Sequence, residues 1–322
     1  MDAVTIERLL EDRREQFDLT VLAGRLGLKK QIINAEIHRP GLALTGYVDR
    51  FPRTRTQVLG ETEITFLESL SPERRRDILD MLYQTGVPLV IVTKNQAVPP
   101  EMIELADKYQ IPLLGTRLST TDFINRLSVY LDVRFAPTTQ IHGTFVDVYG
   151  IGLLYTGRSG IGKSEIALDL IERGHRLVAD DVVRITRRAP QVIIGTAGEH
   201  LGHHMEIRGV GIINVEKLFG IRAVRLQKRI EVEVRLELWR EDVEYERLGL
   251  EDKYTTILGA EIPLVTLPLS PGKNITVISE VIAMNHMLKV YGVHTPREFS
   301  RALTEEMMRR HATAQYLESD TE

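Results

Sequence analysis

The chain has 322 residues, of which 43% are hydrophobic and 27% charged, enough apolar material for two domains. Its formal net charge of −4 gives no global basic field for nucleic acid or an anionic membrane. With no cysteine, disulfides, thiolate metal sites and a cysteine nucleophile are excluded.

The opening MDAVTIERLLEDRREQF is acidic and charged within its first seven residues, unlike the basic-then-apolar order of a secretory signal, and reads as a helix. No apolar run approaches the ~18 residues of a bilayer crossing, so the expectation is a cytoplasmic protein with no membrane or nucleic-acid partner. Ser71 as N-cap, Pro72 in the first turn and Gly86 as terminator predict a helix between them. The apolar runs Leu89 to Val92 and Pro112 to Leu114 flank a helical stretch, Pro100 to Tyr109, and together make a βαβ-type unit. Asp107, Asp122 and Asp132 are scattered and read as solvated surface charge. Residues 1–131 therefore form an N-terminal α/β domain without a catalytic constellation, and 132–140, around Pro137, read as a linker.

The second domain, 141–322, opens with IHGTFVDVYGIGLLYTG, which alternates like a hairpin around Gly150. KSEIALDLIERG carries apolar residues at 166, 167, 170 and 171, the stripe of a helix ending at Gly174. HRLVADD returns as a strand. In RIEVEVRLELW, Ile230, Val232, Val234, Leu236 and Leu238 share one face and the charges the other, as in a half-exposed strand with a solvated side. TPREFSRALTEEMMRR starts with a capping box, Thr295 with Glu298, and predicts a C-terminal helix.

Between strand and helix stands GRSGIGKS: Gly157, Arg158, Ser159, Gly160, Ile161, Gly162, Lys163 and Ser164. This fits the phosphate-loop pattern G-x-x-x-x-G-K-[ST] in the required context, because backbone N–H groups and the positive helix end must converge on phosphate oxygens. Lys163 would reach the β and γ phosphates and Ser164 would join a magnesium shell.

A strand, loop, helix and return strand in a right-handed crossover bring the end of RLVADD to the same sheet edge as the loop. Asp180 and Asp181 then flank the γ phosphate and need not point the same way, since side chains alternate along a strand. One can serve the metal while the other takes a proton from an attacking hydroxyl, which a kinase needs and a simple hydrolase does not. His200, His203 and His204 with Glu206 raise zinc, but a glycine-flanked loop offers no fixed scaffold, and Glu206 suits magnesium better. His142, at a strand start, reads on this ground alone as structural.

The blocks IHGTFVDVYG, GRSGIGKSEIALDLIERGHRLVADD, EIRGVGIINV, LELW...YERLGL and PLSPGKN occur in the order of the bifunctional HPr kinase/phosphorylase family, which the chain resembles over about 140–274. The resemblance implies an N-terminal α/β domain and a C-terminal P-loop kinase domain with a mixed sheet. It also implies an ATP- and Mg²⁺-dependent kinase of a serine in the phosphocarrier HPr. Inorganic phosphate removes that group to give pyrophosphate, which can also serve as donor. A homohexamer sensitive to fructose 1,6-bisphosphate is implied as well. By the same resemblance His142, Lys163, Asp181 and Arg247 match active-site positions, and Ser164 and Glu206 match magnesium ligands. Met205, Glu206, Ile207, Arg208, Gly209, Val210, Gly211, Ile212, Ile213 and Asn214 match the catalytic signature. Pro268, Leu269, Ser270, Pro271, Gly272 and Lys273 match the segment tied to dephosphorylation. Arg158 and Ser270 depart from the family's usual aspartate and basic residue. Two other readings remain: a small-molecule kinase on a similar core, and a nucleotide-sensing regulator without catalysis.

Overall fold

The first half of the chain alternates short strands with helices, and in the computed structural model this alternation becomes a unit spanning residues 1–136, followed by a second unit, 137–322. The structure describes residues 3–198, 202–243, 252–270 and 272–319. In the first unit a five-stranded sheet runs in the order Thr20–Ala23, Leu113–Gly115, Val90–Val92, Thr56–Leu59, Ile37–His38. All of its neighbours are parallel except the first pair. Two buried clusters sandwich it, one built on Ile64, Leu79 and Leu105, the other on Leu9, Phe123 and Leu127. The helix Pro72–Gln84 starts as its sequence dictates, with Ser71 Oγ accepting from the Arg74 amide at 3.3 Å. Asp107 is more than surface charge: its Oδ1 accepts the Gly24 amide at 2.6 Å and fixes a left-handed turn.

The stretch expected as a linker is mostly regular structure. One helix, Thr120–Arg134, runs into it and a strand starts at Thr138, leaving only 135–137 between them.

In the second unit the strands are β1 (Thr138–His142), β2 (Thr144–Val148) and β3 (Ile151–Thr156), then α1 (Lys163–Glu172) and β4 (Arg176–Ala179). They continue as β5 (Val182–Ala189), β6 (Val192–Ala197), the pair β7 (His204–Ile207) and β8 (Gly211–Asn214), β9 (Gln227–Arg229) and β10 (Val232–Leu238). β11 (Tyr254–Ile257), β12 (Ala260–Leu269), α2 (Ile275–Val290) and α3 (Thr295–Ser319) follow, with a short helix, Val215–Phe219, and a 3-10 turn, Ile221–Ala223, between β8 and β9. Six strands form a mixed sheet in the order β4-β2-β3-β10-β12-β11, and β9-β6-β5-β1 form a second, antiparallel sheet.

The expected hairpin exists between β2 and β3, turning at Tyr149 and Gly150, both at positive φ as a tight two-residue turn requires. His142 does not begin it. His142 ends β1 in the other sheet, and Gly143 is the pivot, because a methyl group there would fall 2.5 Å from the Tyr155 carbonyl oxygen.

One face of the six-stranded sheet packs on α1 and α2 through Val146, Leu153, Tyr155, Val232, Val234 and Leu236. The other packs on the second sheet through Phe145, Leu154, Val178, Val183, Ile185 and Ile193. β10 corrects the sequence reading. It is central, paired in parallel with both β3 and β12, so its charged face is not simply solvated: Glu233 is 5% exposed. Leu238 is exposed and Ile230 belongs to the inter-sheet core, so three of the five expected apolar positions line the helix side.

Candidate active site

The glycine loop leaves β3 after Thr156 and enters α1 at Lys163, as a phosphate cradle must. Gly157, Gly160 and Gly162 all have positive φ, and at Gly157 a methyl group would meet the Leu236 carbonyl oxygen at 2.6 Å. Lys163, 6% exposed, curls back so that Nζ donates to the carbonyls of Gly157 at 3.3 Å and Arg158 at 3.2 Å. Its ammonium therefore lies within the curve of the loop. Arg158 and Ser159 are on the exposed crest.

β4 is parallel in direction to β3 although β2 lies between them, because both pair antiparallel with β2. The crossover through α1 thus delivers Asp180 and Asp181 to the loop's edge. There the chain changes sheets: Ala179 ends β4 and Val182 begins β5. Asp181 makes the change in the left-handed region, φ +66, which a short polar side chain tolerates better than most, and its carbonyl accepts the Gly143 amide at 3.0 Å.

This turn sends the two carboxylates apart. Asp180 points to the α1 side, accepting from Ser164 Oγ at 2.9 and 3.0 Å and from the buried Thr144 hydroxyl at 2.6 Å. Burial pushes the Asp180 carboxyl above its ordinary value, opposed by the Thr144 and Ser164 hydrogen bonds. Asp181 points outward, its Oδ1 3.1 Å from His142 Nδ1. The Ser164 and Asp180 oxygens fit a magnesium site, since neighbouring ligands in an octahedral shell at ~2.1 Å lie about 3.0 Å apart. Glu206, on β7, is exposed, and its side chain makes no hydrogen bond or ion pair among the described residues.

The β7–β8 hairpin carries the signature stretch and is anchored by Met205 in the helix-side core. Arg208, between its strands, lies against the loop, for a methyl group on Gly160 would fall 2.3 Å from Arg208 Nη2. Of the histidines beside it, His203 is buried, and His204 Nε2 is 3.1 Å from Asn214 Nδ2. Along the flank of the loop, Ile161, Gly162 and Glu165 share a cleft of about 560 Å³ with Ser270, Gly272 and Lys273. Lys273 Nζ donates to the Pro268 carbonyl at 3.2 Å and lies 5.8 Å from the Trp239 ring centroid. His200, Arg247 and Pro271 lie outside the described residues.

Sequence reasoning missed two partners and named a third without giving it a role. Thr144 is one, legible only once β2 and β4 are known to pair. Arg208 was named only within its stretch. Glu233, the other missed partner, accepts from Thr156 Oγ1 at 2.7 Å and pairs with Arg235 at 3.0 Å. In a strand that alternates apolar and charged residues, nothing local separated Glu233 from Arg235 and Glu237.

Residues 4–131 match the family model described as the HPr Serine kinase N terminus, and residues 133–303 match the HPr Serine kinase C-terminal domain. The chain is 50% identical to the HPr kinase/phosphorylase of Chloroherpeton thalassium over 282 residues, 88% of this chain and 83% of that protein. It is 45% identical to the protein of the same name from Geobacillus kaustophilus over 295 residues, 92% and 95% of the two chains. The one from Bacillus subtilis is 44% identical over 295 residues, again 92% and 95%. The solved structure of the Hpr(Ser) kinase/phosphatase from Coxiella burnetii is 34% identical over 48% of this chain and 99% of that one, with a TM-score of 0.44.

Proposed function

Because the chain belongs to the HPr serine kinase family, matched in both its halves, we propose that it phosphorylates a serine of the phosphocarrier HPr with ATP and removes that phosphate by phosphorolysis. The observation that carries this reading is the division of labour between adjacent carboxylates, Asp180 bound to the loop serine and Asp181 bound to His142.

In the kinase direction Lys163 and the loop amides hold the triphosphate. Ser164 and Asp180 would hold a magnesium ion, which would neutralise phosphate charge. Asp181, oriented by His142, accepts the proton of the substrate serine as its oxygen attacks the γ phosphorus. Arg208, beside Gly160, supplies positive charge to the transferring group, a role Arg247 shares. In the reverse direction an oxygen of inorganic phosphate attacks the phosphoserine phosphorus. The bond to the serine oxygen breaks, Asp181 returns its proton to that oxygen, and pyrophosphate leaves. Lys273, beside the loop, favours an anionic co-substrate there even with Ser270 uncharged.

Among the described residues no helix is long and apolar enough to cross a membrane, which suits a cytoplasmic enzyme with a protein substrate. The helix α3 exposes Phe299, Leu303 and Met307 at a spacing of four, an apolar stripe that supports self-association, in keeping with the homohexamer that the family resemblance implies. The test is to incubate the protein with Mg-ATP and purified HPr, then add inorganic phosphate. Phosphoserine should form first and pyrophosphate should follow. An HPr that stays unmodified while ATP is turned over would sink the reading.

A further inference from the structure

The inter-sheet face of β10 holds a charged pair at the edge where the reaction is proposed to occur. Thr156, the last residue before the glycine loop, is in register with Arg235, and Arg235 in turn with Thr266 of β12. Leu154 and its neighbour in register, Glu233, lie on that same face, since Leu154 is part of the core between the two sheets. Glu233 is 5% exposed, and its Oε1 accepts from both Thr156 Oγ1 at 2.7 Å and Arg235 Nη2 at 3.0 Å. A buried carboxylate is costly unless paired, so this one anchors the guanidinium. The Arg235 side chain is nevertheless 42% exposed, and its hydrogen bond to Glu233 is the only one it makes among the described residues. Most of its five N–H donors therefore face outward.

The two faces of the sheet separate the two halves of the site. Asp180, Ser164 and Thr144 lie on the α1 side with the proposed nucleotide. His142 and Asp181 stand where β1 and β5 enter the second sheet, on the side to which Thr156, Glu233 and Arg235 also point. Thr144, next to the Gly143 pivot, is in register with Tyr155 on β3, and β10 is the following strand. Gly143, the residue after His142, comes next beyond Thr144 in that register, so the His142–Gly143 end of the chain and Arg235 stand at the same end of β3, on either side of Thr156.

We propose that Arg235, locked by Glu233 and Thr156, is the acceptor-side phosphate ligand: it binds the oxygens of the phosphoserine group of the protein substrate rather than those of the nucleotide. This rests on the kinase/phosphorylase reading above. Arginine suits the task because its planar fork matches two phosphate oxygens at once.

The test uses the full chain, Mg-ATP, HPr and phosphoserine-HPr, with R235Q, R235K and the double variant E233Q/R235Q, whose buried carboxylate is removed along with its partner so that folding is preserved. For R235Q and the double variant, kcat/KM for phosphorolysis of phosphoserine-HPr should fall about 10²-fold, with KM rising. The Kd for Mg-ATP should stay within about twofold, and R235K should recover about a tenth of the wild-type value. A purely structural role would move ATP affinity and phosphorolysis together, and that result overturns the proposal. So does an unchanged phosphorolysis rate in a folded variant. A wild-type chain that modifies no HPr would overturn the kinase reading itself, whereas an active wild type with an indifferent R235Q removes only the role of Arg235.

Discussion

Asp181 Oδ1 lies 3.1 Å from His142 Nδ1, on the opposite side of the strand end from its neighbour Asp180. A carboxylate so placed can take a proton only if the attacking hydroxyl arrives from the exposed side, and the imidazole keeps it from rotating away. Asp181→Asn should therefore lower the rate of HPr phosphorylation by about 10²–10⁴-fold with ATP affinity retained. His142→Ala should lower it less, because it orients the base without replacing it. Rapid-quench rates with saturating Mg-ATP check both. Wild-type rates for Asp181→Asn would end the general-base assignment.

Asp180 makes the opposite prediction for stability. Its folded carboxyl holds its proton more tightly than the ordinary value of 3.8, chiefly through burial. Its contribution to stability is thus fully present below about pH 4 and lost as the pH rises through the folded value. At neutral pH, without nucleotide or metal, the buried charge is a cost. Asp180→Asn should raise the thermal midpoint at pH 7 by about 2–4 °C for each kcal/mol relieved, while abolishing magnesium-dependent transfer. Calorimetry at pH 7 and pH 4 reads it: the gain should shrink at the lower pH.

Much of this site was legible beforehand, for physical reasons. The glycine loop, its flanking strand and helix, and the acidic strand end are local patterns, and a crossover has one favoured hand. What local patterning does not carry is which sheet a strand joins. IHGTFVDVYG reads as one strand, yet Gly143 splits it between two sheets, which is what aims His142 at Asp181. RIEVEVRLELW alternates like a half-exposed strand, and only its parallel neighbours on both sides bury Glu233. The helix α2 was not singled out in the sequence; Ile275, Thr276, Val277, Ile278 and Val281 favour strands by propensity, although Asn274 caps the helix through the Val277 amide at 3.1 Å. Packing against α1 and the sheet overrides that propensity.

Gly160 tests the link between the loop and the signature hairpin. At φ +73 it sits where an L-residue is strained, and its missing side chain is replaced by the Arg208 guanidinium. Gly160→Ala should push Arg208 off the loop and cut kcat by about tenfold or more. Arg208→Ala at an intact Gly160 should produce a comparable loss, and the double variant should be little worse than either single one. Additive losses in that cycle would show that the two act separately.

A last expectation concerns how α1, whose first turn belongs to the loop, is held at its far end. Glu280 on α2 accepts from Arg173 Nε at 2.9 Å and Nη2 at 2.6 Å, lies 3.0 Å from His175 Nε2, and receives the Tyr149 hydroxyl at 3.4 Å. The Arg173 hydrogen bonds, more than any other influence, hold its carboxyl down to about 2. A depressed folded value contributes stability that is complete above the ordinary 4.5 and disappears as the pH falls through about 2. Glu280→Gln keeps the shape but removes the charge, and should cost about 2 kcal/mol at pH 7. Urea unfolding of wild type and variant should differ by that amount at neutral pH and converge progressively below pH 4.5. A gap that stays constant down to pH 3 would mean that packing, and not the carboxylate's charge, ties the helices together.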